Sequence, residues 1–241
     1  MTLEICPNME TKTPFYFVSG YRDDIEPSAV VPSRHRRTTC YSEINRYPEQ
    51  TSHIKGLMTQ KAQTPISILN IGVAQGQEPL THINSAFELA KKTGREIPDF
   101  IDLTTVDILR EPPKLPCQAA NMPKEVIDHL EKIYSPASGK SFWATPIETV
   151  TETLLKSGKK QDVVLFNNVI QHMSPKNESI IHKFLERLVE LVAPKGTLCF
   201  TCEKNAMFKG QIPFDRVKKM LGALKSNGFL KIASGIFTRR I

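Results

Sequence analysis

An apolar, β-rich run, Ile66-Ser67-Ile68-Leu69-Asn70-Ile71, breaks at Gly72 and again at Gly76, and helix-compatible residues follow from Gln77. That order predicts a strand, a tight glycine turn and a helix start. In open α/β sheets ligands lie at the carboxyl ends of such strands, where residues without a Cβ let the backbone approach them closely. The spacing is G-x-x-x-G followed by Glu78, and no Gly-Lys-Ser/Thr follows. A phosphate-binding P-loop is therefore disfavoured, and the G-x-G-x-x-G dinucleotide pattern is poorly matched.

The same alternation continues along the chain. Strands are predicted at Ile66–Ile71, Phe100–Val106, Ser141–Trp143, Asp162–Phe166 and Thr197–Thr201. Helices are predicted at Gln77–Lys92, Lys124–Tyr134, Ile147–Lys156, Lys176–Val192 and Phe214–Ser226. Ile180, Ile181, Phe184, Leu185, Leu188, Leu191 and Val192 trace one helical face, and Pro194-Lys195-Gly196 reads as the turn that ends it. Phe229 to Thr238 reads as two strands hinged near Gly235. Repeated strand–helix units imply a doubly wound, mostly parallel α/β sheet wrapped by helices on both faces. Residues 1–64 carry Pro7, Pro14, Pro27, Pro32 and Pro48 without a sustained period. They are expected to form an extension of short helical pieces over a core domain at residues 65–241.

Composition narrows the function classes. A hydrophobic content of 40% and a charged content of 24% suit a water-soluble globular chain. No apolar run reaches the length of a membrane span, and Met1 to Glu10 has no apolar signal core, so a cytoplasmic protein is expected. The five cysteines are then expected as free thiols. Cys199 and Cys202 form C-x-x-C, but their odd separation in a strand sends them to opposite faces, so no metal site is expected. The net charge of +7 is densest at Arg34-His35-Arg36-Arg37. It admits nucleic acid as a partner without favouring it, because no aromatic residues are interleaved as a stacking platform.

Gly72 to Thr81 resembles the G-C-S-T-G-E-E-P-Y-S motif of the chemotaxis receptor methyltransferases, members of the class I S-adenosylmethionine (SAM) methyltransferases. Thr105-Val106-Asp107-Ile108 is similar to the family's A-T-D-I. Asp162 to Met173 is similar to its F-D-L-I-x-C-R-N-V-L-I-Y-F, in the same order along the chain. Thr38-Thr39-Cys40-Tyr41-Ser42-Glu43 resembles, more weakly, its T-x-F-F-R-E. The resemblance implies a Rossmann-like, seven-stranded sheet closed by an antiparallel hairpin, with SAM as cofactor.

It also implies roles for particular residues. Gly72 and Gly76 would underlie the methionine part of SAM, and Glu78 would face its ammonium group. The alternative for Glu78 is a carboxylate favoured by the helix dipole alone. Asp107 would accept the ribose hydroxyls, an arrangement known from dinucleotide folds. Asp102 is its mid-strand rival, and a buried carboxylate there would need a partner. Ala144 and Thr145, after Trp143, fall where the family holds adenine. Asn167 and Asn168 follow the fourth strand, where the methyl group is presented, and Thr38 belongs to the segment that covers the cofactor. His172 stands where the family has Tyr. It suits a general base near neutral pH or a packing role.

Asn167 replaces an arginine of the pattern, and Ser42 replaces another. The family's receptor-glutamate substrate therefore does not carry over. The expected function is methyl transfer from SAM to a nucleophile on a protein or small molecule. A SAM-binding protein without transferase activity and an RNA methyltransferase are the alternatives.

Overall fold

The computed structural model describes residues 44–61, 63–73, 76–107, 121–143, 145–170, 178–202 and 214–240. It also describes the backbone of three short strands, β1 (Ile5–Cys6), β2 (Phe15–Val18) and β3 (Thr38–Thr39). These three form an antiparallel sheet of their own. The sequence reading expects short helical pieces across residues 1–64, and the helix Pro48–Gln60 is one, but these three stretches are extended. The aromatic and β-branched run Phe15-Tyr16-Phe17-Val18 instead suits a pleated strand.

The main sheet contains β4 (Ile66–Ile71), β5 (Ile101–Asp107), β6 (Ser141–Trp143), β7 (Gln161–Asn167), β8 (Val192–Thr201), β9 (Phe229–Ala233) and β10 (Ile236–Arg239). Their order is β6-β5-β4-β7-β8-β10-β9. Strands β4 to β8 pair in parallel, and β10 runs antiparallel to both neighbours. The expected seven-stranded, doubly wound sheet closed by a hairpin is what forms. Strand order reverses between β4 and β7, which is the switch point where such sheets open a crevice.

Alternation along the central strands divides the core between the two faces. Ile66 and Ile68 of β4, with Val163 and Leu165 of β7, face one layer of helices. Leu69, Ile71, Val164 and Phe166 face the other. The first layer contains α1 (Pro48–Gln60), α2 (Gln77–Thr93) and α3 (Lys124–Tyr134), which supply Ile54, Met58, Leu80, Ile83 and Leu130. The second contains α4 (Ile147–Lys156), α5 (Glu178–Leu191) and α6 (Phe214–Ser226), which supply Val150, Phe184, Leu188 and Met220. A strand buried on both faces must be apolar at nearly every position, which explains the unbroken runs in β4 and β7. Cys199 packs into the first layer and Cys202 against the second, as their odd separation requires.

One boundary differs from the sequence reading. Pro194-Lys195-Gly196 does not stand between helix and strand, because β8 begins directly at Val192. The register against β7 passes from Gln161↔Val192 to Val163↔Thr197, so the turn residues bulge out of the strand. Lys195 takes φ 63° there, and a Cβ on Gly196 would stand 2.9 Å from the Ala193 carbonyl. A bulge places extra residues in one strand without ending its pairing.

Candidate functional site

The carboxyl ends of β4, β5, β6 and β7 bring most of the sequence-predicted residues to one edge of the sheet. Gly72 follows β4 with φ 79°, and Gly76 caps α2 with φ 84°. Only glycine takes such angles without strain. A Cβ on Gly72 would stand 2.7 Å from Val169 Cγ2, so this glycine also admits the chain leaving β7.

Glu78, in the first turn of α2, reaches back over the switch point. One carboxylate oxygen accepts from Asn70 Nδ2 at 2.8 Å and the other from Asn167 Nδ2 at 2.6 Å. Burial raises the Glu78 pKa, while the two amides and the Arg46 charge act against that rise. Asn70 is fully buried, and its Oδ1 has no hydrogen-bond partner among the described residues.

Asn167 sits at the centre of a wider network. Its Nδ2 also donates to Gln50 Oε1 at 2.8 Å, and its Oδ1 accepts from Thr201 Oγ1 at 3.0 Å and Gln50 Nε2 at 3.3 Å. Asn168 adopts φ 56°, uncommon outside glycine. It donates its side-chain amide to the Tyr47 hydroxyl at 2.6 Å. Burial raises the phenol pKa of Tyr47, and hydrogen bonding to Thr201 opposes the rise.

Asp107 ends β5 and is 6% exposed, directly opposite Trp143 in the β5–β6 register. The Tyr134 ring meets Trp143 edge-on at 5.0 Å. Burial, and then the Asp107 charge, push the Tyr134 phenol well above its ordinary value. Asp102, the rival carboxylate, lies in the same strand but is half-exposed and paired with Lys140 at 2.8 Å. It is not the buried mid-strand acid that the sequence reading weighs against Asp107. Thr145 follows β6 and donates its hydroxyl to the Trp143 carbonyl at 3.1 Å. Ala144 and His172 lie outside the described residues, and of Thr38 only the backbone in β3 is described.

Sequence reasoning missed Asn70, Gln50, Tyr47 and Thr201. Asn70 carried a signal, since a polar residue inside an apolar parallel strand must satisfy its amide somewhere. Gln50, Tyr47 and Thr201 carried none, because their roles depend on where α1 and β8 pack. The assembled edge offers carboxylates and amide oxygens around a glycine turn. That chemistry suits a ligand bearing an ammonium group and hydroxyls.

No protein-family model and no curated protein sequence matches the chain. Solved structures do resemble it. MNMC2 from Aquifex aeolicus is 14% identical with a TM-score of 0.52, over 99% of this chain and 70% of that one. At that likeness the two share a fold. An O-methyltransferase family protein from Burkholderia thailandensis is 10% identical with a TM-score of 0.44, over 82% of this chain. The match spans 57% of the Burkholderia protein's length. The N-methyltransferase NodS from Bradyrhizobium japonicum WM9, solved with S-adenosylhomocysteine, is 14% identical with a TM-score of 0.42, over 79% of this chain and 84% of that one. Among the described residues no helix is long and apolar enough to cross a membrane.

Proposed function

We propose that this chain binds SAM and transfers its methyl group to a nucleophile on a protein or small molecule. The observation that carries this reading is the convergence of Gly72, Glu78, Asp107 and Asn167-Asn168 at the switch point of a doubly wound sheet. The residues present fit the cofactor. The buried Asn70 Oδ1 beside Glu78, without a partner among the described residues, suits an ammonium group. Asp107 suits a pair of ribose hydroxyls. Thr145 and the Trp143 ring stand at the next strand end, where adenine would lie. When bound, SAM supplies an electrophilic methyl group on a sulfonium. This chain's part is to hold and orient the reactants, so few acid–base groups are required.

Thr38 and Ala144 belong to the same proposal through their motif positions, as does His172 in the role of base or packing residue. The likeness to the chemotaxis receptor methyltransferases rests on motif order. The arginine of that pattern is Asn167 here, and its amide is engaged by Gln50, Thr201 and Glu78. That engagement favours, as the second reading, a SAM-binding protein without transferase activity. An RNA acceptor is the weaker alternative.

Calorimetry with SAM and S-adenosylhomocysteine is the first test, followed by tritiated-methyl transfer to fractionated protein, small-molecule and RNA acceptors. One-to-one binding with label transfer establishes the enzyme. Binding without transfer to any fraction turns the reading to the non-catalytic one, and no binding of either ligand at millimolar concentration ends it.

A further inference from the structure

The segment from Asn45 to Gln50 leads into α1 and crosses the site from α2 to the end of β8. Asn45 N–H donates to Thr81 Oγ1 of α2 at 2.9 Å. The Tyr47 hydroxyl receives the Asn168 amide at 2.6 Å, and Gln50 exchanges two hydrogen bonds with Asn167. Gln50 Nε2 also approaches the Gly235 carbonyl at 3.4 Å, which ties the strap to the closing hairpin. The anchor is firm, because Ile54 and Met58 of the same helix are buried in the core.

Gln50 is itself buried, and an amide buried in a helix must be paired to be tolerated. Its pairing partner matters. Asn167 has one amide group to orient and donates from it both to Gln50 and to Glu78. With the Gln50 bonds removed, the Asn167 amide would keep, among the described residues, one bond on each atom, from Thr201 to Oδ1 and from Nδ2 to Glu78, and would lose the α1 contact that backs both.

We infer that Gln50 is a positioning residue of the cofactor site, acting through Asn167 to hold the Glu78 carboxylate in its binding orientation. The inference rests on the SAM-binding reading above. It adds a dependence of cofactor affinity on a helix that lies before the glycine turn in sequence.

The test is a double-mutant cycle read by calorimetry with S-adenosylhomocysteine, using the full chain. Gln50→Met keeps the volume and removes every hydrogen bond. It should weaken binding by about tenfold, the loss of a bond or two. Glu78→Gln should weaken it further, and the double variant should bind no worse than Glu78→Gln alone, because Gln50 then has nothing left to position. Unchanged affinity in Gln50→Met, or losses that simply add, would overturn the inference while leaving SAM binding intact. If the unmodified chain bound no S-adenosylhomocysteine, the functional reading itself would fall. If Gln50→Met did not fold by circular dichroism, Gln50→Asn takes its place in the cycle. It stays a neutral amide but, one methylene shorter, no longer reaches Asn167, and it carries the same two outcomes.

Discussion

Asn167 donates to Glu78 at 2.6 Å and thereby joins the carboxyl end of β7 to the first turn of α2, across the point where strand order reverses. The same carboxylate accepts from Asn70 at the end of β4. One acidic side chain thus bridges the two central strands at the place where the sheet would otherwise part. An ionised carboxylate tolerates such a half-buried position because two amides are aimed at it.

Replacing that charge should be felt in binding. Glu78→Gln removes the charge an ammonium group would meet and turns one of its own donors toward Asn70 or Asn167. A charge-assisted bond is worth about 1.5–3 kcal/mol, so affinity for SAM should fall roughly ten- to a hundredfold in calorimetry. Affinity equal to that of the unmodified chain would place the ammonium elsewhere.

The two aspartates of β5 should separate cleanly. Asp107→Ala should weaken SAM binding by about ten- to a hundredfold through lost bonds to the ribose hydroxyls. Asp102→Ala removes a surface ion pair with Lys140, so stability should change by less than about 1 kcal/mol, with no change in affinity. Parallel denaturant melts and titrations of both variants decide between them.

His82 makes the stability of the fold depend on pH. It is buried on α2, its Nδ1 has no hydrogen-bond partner among the described residues, and burial lowers its pKa to about 4. The unfolded chain binds a proton near pH 6.5 while the folded chain resists it until about pH 4. The folded chain therefore keeps this imidazole neutral down to about pH 4, and the proton uptake of the unfolded chain below pH 6.5 works against folding. Stability should fall as pH drops through this window, by about 3 kcal/mol in total, and then level. Urea melts between pH 7.5 and pH 4 measure the slope. His82→Leu should remove this component and leave the carboxylates' contribution behind.

Gly72 should resist substitution for two separable reasons. Gly72→Ala puts a Cβ 2.7 Å from Val169 Cγ2 and forces alanine into φ 79°. The backbone angle costs about 1–2 kcal/mol, and the overlap about 1–3 kcal/mol more. Adding Val169→Ala should relieve the overlap and restore only that share. Val169→Ala alone sets the cost of truncating this buried valine, and losses in the double variant that simply add would show that the backbone angle carries the whole cost of Gly72→Ala.

The sequence by itself determined the alternating architecture and the sheet edge at which the candidate residues gather. Apolar runs such as Val163-Val164-Leu165-Phe166 can be buried only between two layers of helices, and the Gly72–Gly76 turn marks where the ligand edge begins. The place of Asp107 at a strand end was legible for the same reason, since the apolar run stops there. Tertiary structure decided the rest. Pro194-Lys195-Gly196 reads locally as a turn between elements, yet pairing with β7 on both sides makes it a bulge within β8. Asp102 looks buried in a strand pattern, but β6 pairs only with Thr105, Val106 and Asp107 of β5, which leaves Asp102 half-exposed beside Lys140. Gln50 and Tyr47 lie 117 and 121 positions from the asparagines they hold. Hydrogen bonds of that span depend on the packing of α1 against the sheet, which is a property of two surfaces meeting and leaves no period or spacing in the chain.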